Sequence, residues 1–237
     1  MILADHIASL EQARAGKDPK TRSEEAYRRI KQLIFDQKLV PGQKLIYDDL
    51  ARLLHMSRTP LINALNRLEQ QGLVVSESHR GFYVRPMDLQ EAWESFGLRE
   101  ALELYSVQQA VLKATEEDIE RLDLSAARYD EYKPHYFDRR KLSLDAAFHL
   151  QIAQTAKNRI LKWHLKINFD HLYLRAKLDD MDMGLTEKES GSHRLLVKKI
   201  RDRDAAGAVR LIKEHIEVLR QSVMTCLSDN ETRTAGV

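Results

Sequence analysis

A chain of 237 residues that is 43% hydrophobic and 31% charged can bury two modest cores, and its apolar runs are all too short to span a membrane. Its single cysteine, Cys226, excludes an internal disulfide framework and paired-cysteine metal sites, and with an N-terminus unlike a signal peptide it points to a soluble protein of the reducing cytoplasm. The net charge of +2 decides nothing about a polyanionic partner, but 11 Lys/Arg against 7 Asp/Glu between Arg22 and Pro86 leave that stretch at +4.

Residues 1–21 carry little pattern. Ile2, Leu3, Ile7 and Leu10 make at most one amphipathic turn, and Gly16–Pro19 breaks it, so an N-terminal arm is expected. From Ser23, the residues Ala26, Tyr27, Ile30, Leu33 and Ile34 share one helical face, and that helix must stop before Val40-Pro41-Gly42. A second, short helix over Asp48–His55 buries Leu50, Ala51 and Leu54, and Met56-Ser57 turns into a third. There Ser57 is the expected N-cap, its hydroxyl accepting from a first-turn amide, Pro60 lies early enough to be harmless, and Gly72 ends the helix. Leu61, Ala64, Leu65 and Leu68 form its apolar face, leaving Arg58, Thr59, Ile62, Asn63, Asn66 and Arg67 for a partner. Two β-prone runs, Leu73–Val75 and Gly81–Val84, read as a wing with His79-Arg80-Gly81 at its tip.

Past Pro86 the texture changes to long helical periods with almost no glycine until Gly184. Helices are expected over 88–113, 116–132, 137–156, 158–178, 187–202 and 204–228, with Asn158 and Asp204 as caps and Met181–Glu187 as the one long connection, expected to move. In the first of these, Leu98, Ala101, Leu102 and Tyr105 mark the expected core face. The predicted organisation is mainly α: an arm (1–21), a winged helix-turn-helix (22–86), an all-helical bundle (87–228) and a C-terminal tail (229–237).

Two constellations carry chemistry. The third helix offers Arg58, Thr59, Asn63, Asn66 and Arg67, types that reach base edges and phosphates, and the wing offers the Arg80 guanidinium beside a flexible glycine, suited to a minor groove. A plain helical hairpin with solvated polar residues would share this spacing. In the bundle, Asp145 and His149 are four apart on a face with Leu142, Ile152 and Ala156. His193 shares its face with Leu196, Val197 and Ile200, and His215 with Ala208, Leu211, Ile212 and Leu219. Any one of these histidines is more simply a satisfied core residue. Four metal-competent groups aimed inward from three helices are instead affordable if a divalent cation satisfies them, and one carboxylate with three imidazoles suits zinc or another first-row ion rather than magnesium or calcium. His164 and His171 share a face with Asn168 and Arg175 that reads as polar and solvated or pocket-lining, while His6, His55 and His135 have no companions. No phosphate loop, nucleophile triad or paired-carboxylate signature stands out, so a helical metalloenzyme using the Asp/His site is the alternative to a DNA-binding protein.

The run Leu50-Ala51 through Met56–Leu61, then Ala64–Val74 and the wing His79–Val84, resembles the DNA-binding domain of GntR-family transcription regulators. Leu98–Glu103 resembles the opening of the FCD effector domain of the FadR branch, and Asp145–His149, Asn158, His193 and His215 match its metal motif in order. Six effector helices resemble the VanR-type subgroup. The resemblance implies a homodimer joined through its helical domains and bound to a near-palindromic double-stranded operator, more often as a repressor than as an activator. It also implies a small organic acid as effector, a divalent transition metal (zinc, with nickel or manganese as alternatives), and Arg99 as the effector's bidentate partner. A regulator for which the metal itself is the signal is a third reading. Two departures stand out: Ile62-Asn63 occupies the place of the family's usual Arg-Glu, and Ile46-Tyr47-Asp48 that of a Ser/Thr-Glu-Arg approach. Ile62 is then expected to touch a thymine methyl and Asn63 to read adenine.

Overall fold

The computed structural model describes residues 22–134, 139–178, 181 and 191–235. The expected arm over 1–21, nearly all of the Met181–Glu187 connection, His6 and His135 lie outside the described residues. Nine helices and three strands occur among the described residues, in two units: one runs through Met87 and includes Asp170–Lys177, and the other comprises Asp88–Phe169 and the chain from Leu178 onward. None of these helices is long and apolar enough to cross a membrane.

The first unit contains α1 (Arg22–Phe35), β1 (Lys44–Leu45), α2 (Tyr47–Leu54), α3 (Arg58–Gln70), β2 (Val74–Glu77) and β3 (Gly81–Val84). Ala26, Tyr27, Ile30 and Ile34 of α1 are buried, as are Leu61, Ala64, Leu65 and Leu68 of α3, and the two helices pack together. The turn between α2 and α3 uses His55 in the left-handed region, at φ 52°. Ser57 does cap α3 with extended backbone, but its hydroxyl makes no capping hydrogen bond; the residue is exposed, and solvent competes for the first-turn amides. Gly72, at φ +69°, follows the end of α3 as expected, a conformation that strains any side chain. The wing is an antiparallel three-stranded sheet of order β1-β3-β2, with Lys44 opposite Tyr83 on one side and Val75 opposite Tyr83 on the other. In the same unit, Lys31 donates to Asp170 across a buried 2.7 Å ion pair, and Arg175 donates to the carbonyls of Arg85 and Pro86.

The second unit is built from α4 (Leu89–Lys113), α5 (Glu116–Glu131), α6 (Arg139–Thr155), α7 (Arg159–Arg175, whose last residues are counted with the first unit), α8 (Ser192–Arg201) and α9 (Ala205–Ala235). Local chemistry sets the helix starts. The Asp88 carboxylate accepts from Glu91 N, and Thr115 with Asp118 forms a reciprocal capping box. Asn158 and Asp204 accept from Leu161 N and Gly207 N, as predicted. Nearly every residue of α6 is buried, so this helix runs through the interior with α4 and α5 packed against it.

Three expectations are corrected. The tail predicted over 229–237 is helical as far as Ala235: apolar periodicity fades after Leu227, but no glycine or proline interrupts the backbone before Gly236, and Thr232 Oγ1 bonds back to the Ser228 carbonyl. The predicted core face of α4 is its outer face, with Leu98 50% and Tyr105 45% exposed, whereas the buried face carries Ala92, Phe96, Arg99, Glu103, Val107 and Ala110. On α7, the face read as solvated or pocket-lining is not a solvated one: it buries Asn168, which donates to the Ser95 carbonyl, and Arg175, while His164 is exposed.

Candidate metal centre and nucleic-acid interface

Ser57, Arg58, Thr59, Ile62, Asn63 and Asn66 all lie on the exposed side of α3, opposite the leucines that anchor it. Arg58 is oriented by Asp48 of α2, whose Oδ1 accepts from Nη2 at 2.7 Å and from Nε at 3.1 Å. Both side chains are about two-thirds exposed (66% and 64%), so the pair is loosely held and open to exchange with a phosphate. Arg67 turns instead toward α1, pairing with Glu24 and lying 3.8 Å over the Tyr27 ring, which makes it partly a packing residue. Asn63 makes a long 3.4 Å contact with Ser23 Oγ. At the wing tip His79 and Arg80 are exposed, with His79 at φ 60° and Gly81 at φ +98°. Lys44, not singled out from the sequence, is placed beside Gly81 by the β1–β3 pairing; a two-residue strand leaves no periodic signal by which to find it.

The predicted cluster converges inside the second unit. Asp145 and His149 project from α6, His193 from α8 and His215 from α9, and each is at most 6% exposed. One ligand atom from each lies within 4.8 Å of the others. Asp145 Oδ1 is the centre: it stands 3.1 Å from His215 Nε2 and 3.3 Å from the Nε2 atoms of His149 and His193, while the Nε2 atoms of His149 and His215 are 3.0 Å apart. Aromatic rings hold the imidazoles. Phe148 stacks on His193 at 4.1 Å between centroids, and Tyr129 meets the same ring edge-on at 4.3 Å.

Charge in this interior is set by a short chain of carboxylates and cations. Arg99 and Glu103, one turn apart on α4, are buried against the cluster. Arg99 Nε donates to Glu103 Oε1 at 2.6 Å and Nη2 reaches Asp145 Oδ2 at 3.4 Å, while Glu103 Oε2 pairs with His149 Nδ1. Burial works against charge on His149, but the carboxylates of Glu103 and Asp145 outweigh it and raise the imidazole to about 9. Burial likewise opposes the charge on Glu103, which His149 and Arg99 hold down to about 2. Asp145 is held well below the usual carboxylate range by His149 and the other imidazoles, again against its burial. Burial pushes His193 down to about 3, more than its contact with Asp145 restores.

A divalent cation fits this arrangement on two observations. The ring nitrogens of His193 are buried without a hydrogen bond, although Nε2 stands 3.3 Å from Asp145 Oδ1. The donor spacing points the same way: bonds of about 2.0–2.1 Å in a tetrahedral site put ligand atoms roughly 3.3 Å apart, and Asp145 Oδ1 stands 3.1–3.3 Å from all three Nε2 atoms within a set that spans at most 4.8 Å. Three imidazoles and one carboxylate are a borderline donor set suited to a first-row transition ion. Glu103 carries no metal-ligand spacing and was not singled out from the sequence; the apolar stripe on the far side of α4 masked the buried face on which it lies.

Comparison with known proteins matches both segments of the chain to known families. The family model described as bacterial regulatory proteins, gntR family, matches residues 22–84, and that of the FCD domain matches residues 94–218. The Nta operon transcriptional regulator of Aminobacter aminovorans is 26% identical over 196 residues, covering 82% of this chain and 93% of that protein. The Uxu operon transcriptional regulator of Escherichia coli strain K12 is 27% identical over 218 residues, covering 82% and 84%. Among solved structures, E. coli McbR/YncC covers 86% of this chain and 98% of its own, with a TM-score of 0.75 and 21% identity, a likeness of fold.

Proposed function

We propose, since this chain belongs to the gntR family of bacterial regulatory proteins and carries an FCD domain, that it is a cytoplasmic, metal-dependent repressor that releases its operator when a small carboxylate binds. The family makes it a transcription regulator that binds DNA and a small-molecule effector, rather than an enzyme. The observation that carries the finer reading is the buried Asp145, His149, His193 and His215 cluster within the matched FCD segment. These four would hold the ion, zinc in the first instance, with nickel or manganese as alternatives. When bound, the ion would supply a Lewis-acidic position for an oxygen anion. Arg99, whose 3.4 Å contact with Asp145 Oδ2 is long for a hydrogen bond, is the group we expect to turn toward an incoming carboxylate.

On the DNA side, Arg58, Thr59, Ile62, Asn63 and Asn66 would read the major groove. Arg80 with His79 and Gly81 would meet the minor groove, and Ser57 and Arg67 would brace the helix ends. Ile62, 38% exposed, is available for a thymine methyl and Asn63 for adenine. We further infer a homodimer on a near-palindromic operator. Support comes from the outer face of α4, where Leu98, Tyr105 and Leu112 recur every seven residues and are 50%, 45% and 71% exposed, the spacing of a helix seam left uncovered among the described residues.

The test is selection of duplexes from a random library by zinc-loaded protein, followed by fluorescence-anisotropy titration of the selected duplex against a panel of small carboxylates. A two-half-site consensus and a carboxylate that weakens binding by about 5–150-fold are expected. Selection without consensus would refute the DNA reading. A response to chelation alone, with no carboxylate effect, would make the metal the signal.

A further inference from the structure

Asp145 and His149 each turn one atom inward to the cluster and one atom outward to α4. The outward atoms are Asp145 Oδ2, 3.4 Å from Arg99 Nη2, and His149 Nδ1, paired with Glu103 Oε2. Glu103 Oε1 in turn accepts from Arg99 Nε at 2.6 Å. Both α4 side chains are buried from bulk solvent, Arg99 at 0% and Glu103 at 2% exposure. When the ring is neutral, as a metal ligand must be, an imidazole whose Nδ1 faces a carboxylate keeps its one proton there and carries its lone pair on Nε2, the atom turned toward Asp145 Oδ1 and His215. Among the described residues no carboxylate pairs with His193 Nδ1, and that ring stacks on Phe148 instead. A buried glutamate is costly unless its charge is used, and here both oxygens are engaged.

We propose that Glu103 is a positioning residue for the metal centre: it selects the tautomer and ring orientation of His149 that offer Nε2 to the ion, while Arg99 anchors both Glu103 and the outer oxygen of Asp145. This rests on the metal reading of the cluster. The dyad makes the site dependent on α4, a helix that contributes no ligand.

The substitution Glu103→Gln separates this role from packing. Arg99 only donates, so it keeps the amide oxygen and turns the amide NH2 toward His149 Nδ1. That nitrogen must then accept, the proton moves to Nε2, and the lone pair leaves the ligand position. Full-length protein, stripped of metal and titrated with Co2+ against a chromophoric chelator, is expected to bind about 10–100-fold more weakly as Glu103→Gln, with an altered visible Co2+ spectrum. A folded Glu103→Gln protein with wild-type affinity and spectrum overturns the proposal. On the wild-type chain, 15N–1H long-range NMR of the zinc-loaded protein is expected to show the His149 proton on Nδ1; a proton on Nε2 overturns it whether or not the variant folds. Wild-type protein that binds no Co2+ or zinc removes the metal reading and this inference together, whereas metal-binding wild type with an unaffected variant removes this inference alone.

Discussion

Replacing Asp145 by alanine removes the one carboxylate that all three imidazoles and Arg99 share. What remains is a guanidinium at 0% exposure and an imidazole at 1%, both set against the Glu103 carboxylate. Breaking a buried ion pair by deleting one member costs roughly 3–5 kcal/mol, because the survivor stays desolvated. For a protein of this size each kcal/mol moves the midpoint by about 2–4 °C, so metal-free Asp145→Ala is expected to melt about 6–20 °C below wild type. Zinc at about a hundredfold over its dissociation constant should add roughly 2.7 kcal/mol to the wild type and almost nothing to the variant, widening the gap. The assay is thermal unfolding followed by tryptophan fluorescence. Both tryptophans, Trp93 and Trp163, belong to the second unit, so the signal reports the unit that holds the cluster. A midpoint within about 3 °C of wild type, or an equal zinc-induced rise in both proteins, would refute the electrostatic account of this interior.

Other outcomes follow from named contacts. Arg58→Ala should weaken binding to a selected operator by about 1–3 kcal/mol with a smaller loss on random duplex; equal losses would reduce Arg58 to a phosphate contact. Asp118 is pushed up by burial, but hydrogen bonds from Lys157, Arg121 and Thr115 outweigh this and hold its carboxyl well below the usual range. Its contribution is therefore present above about pH 4 and lost as pH falls further. Because Arg121 and Lys157 are 43% and 45% exposed, Asp118→Asn should cost only about 1–2 kcal/mol at pH 7. Urea melts should show that gap narrowing as the pH falls below 4, and a gap unchanged between pH 7 and pH 3 would contradict the assignment. Leu112→Glu should convert a dimer to monomer in sedimentation velocity while leaving helicity intact, and an unchanged sedimentation coefficient would place the interface elsewhere.

Where one physical signal dominated, the fold was legible from residues alone. The leucine spacing of α3 and the glycine that ends it, the wing runs, and the caps Asn158 and Asp204 each express a local rule that packing did not overrule. The cluster was legible because Asp145, His149, His193 and His215 each stand on an apolar stripe, so facing inward put them together. Where two signals competed, reading failed. On α4 the stripe from Leu98 to Tyr105 is apolar, but the face with Arg99 and Glu103 also carries Phe96 and Val107, and the charges it meets on α6 go with its being the buried one. Arg67 looks like its neighbours in sequence, and its turn toward Tyr27 depends on a helix 40 positions away along the chain. β1 is two residues long and exists because β3 has a free edge to offer.

The two faces of α4 have a consequence for how this chain can change its length. Arg99 and Glu103 must point to one side while Leu98, Tyr105 and Leu112 point to another, and both requirements are phased by the same 3.6-residue turn. Inserting or deleting a single residue between Glu103 and Leu112 would rotate everything beyond it by about 100° and move one requirement out of step with the other. Surface loops absorb such changes cheaply. Here a single-residue indel would disturb the support of His149 and the outer seam at once, so variation along α4 is confined to substitution.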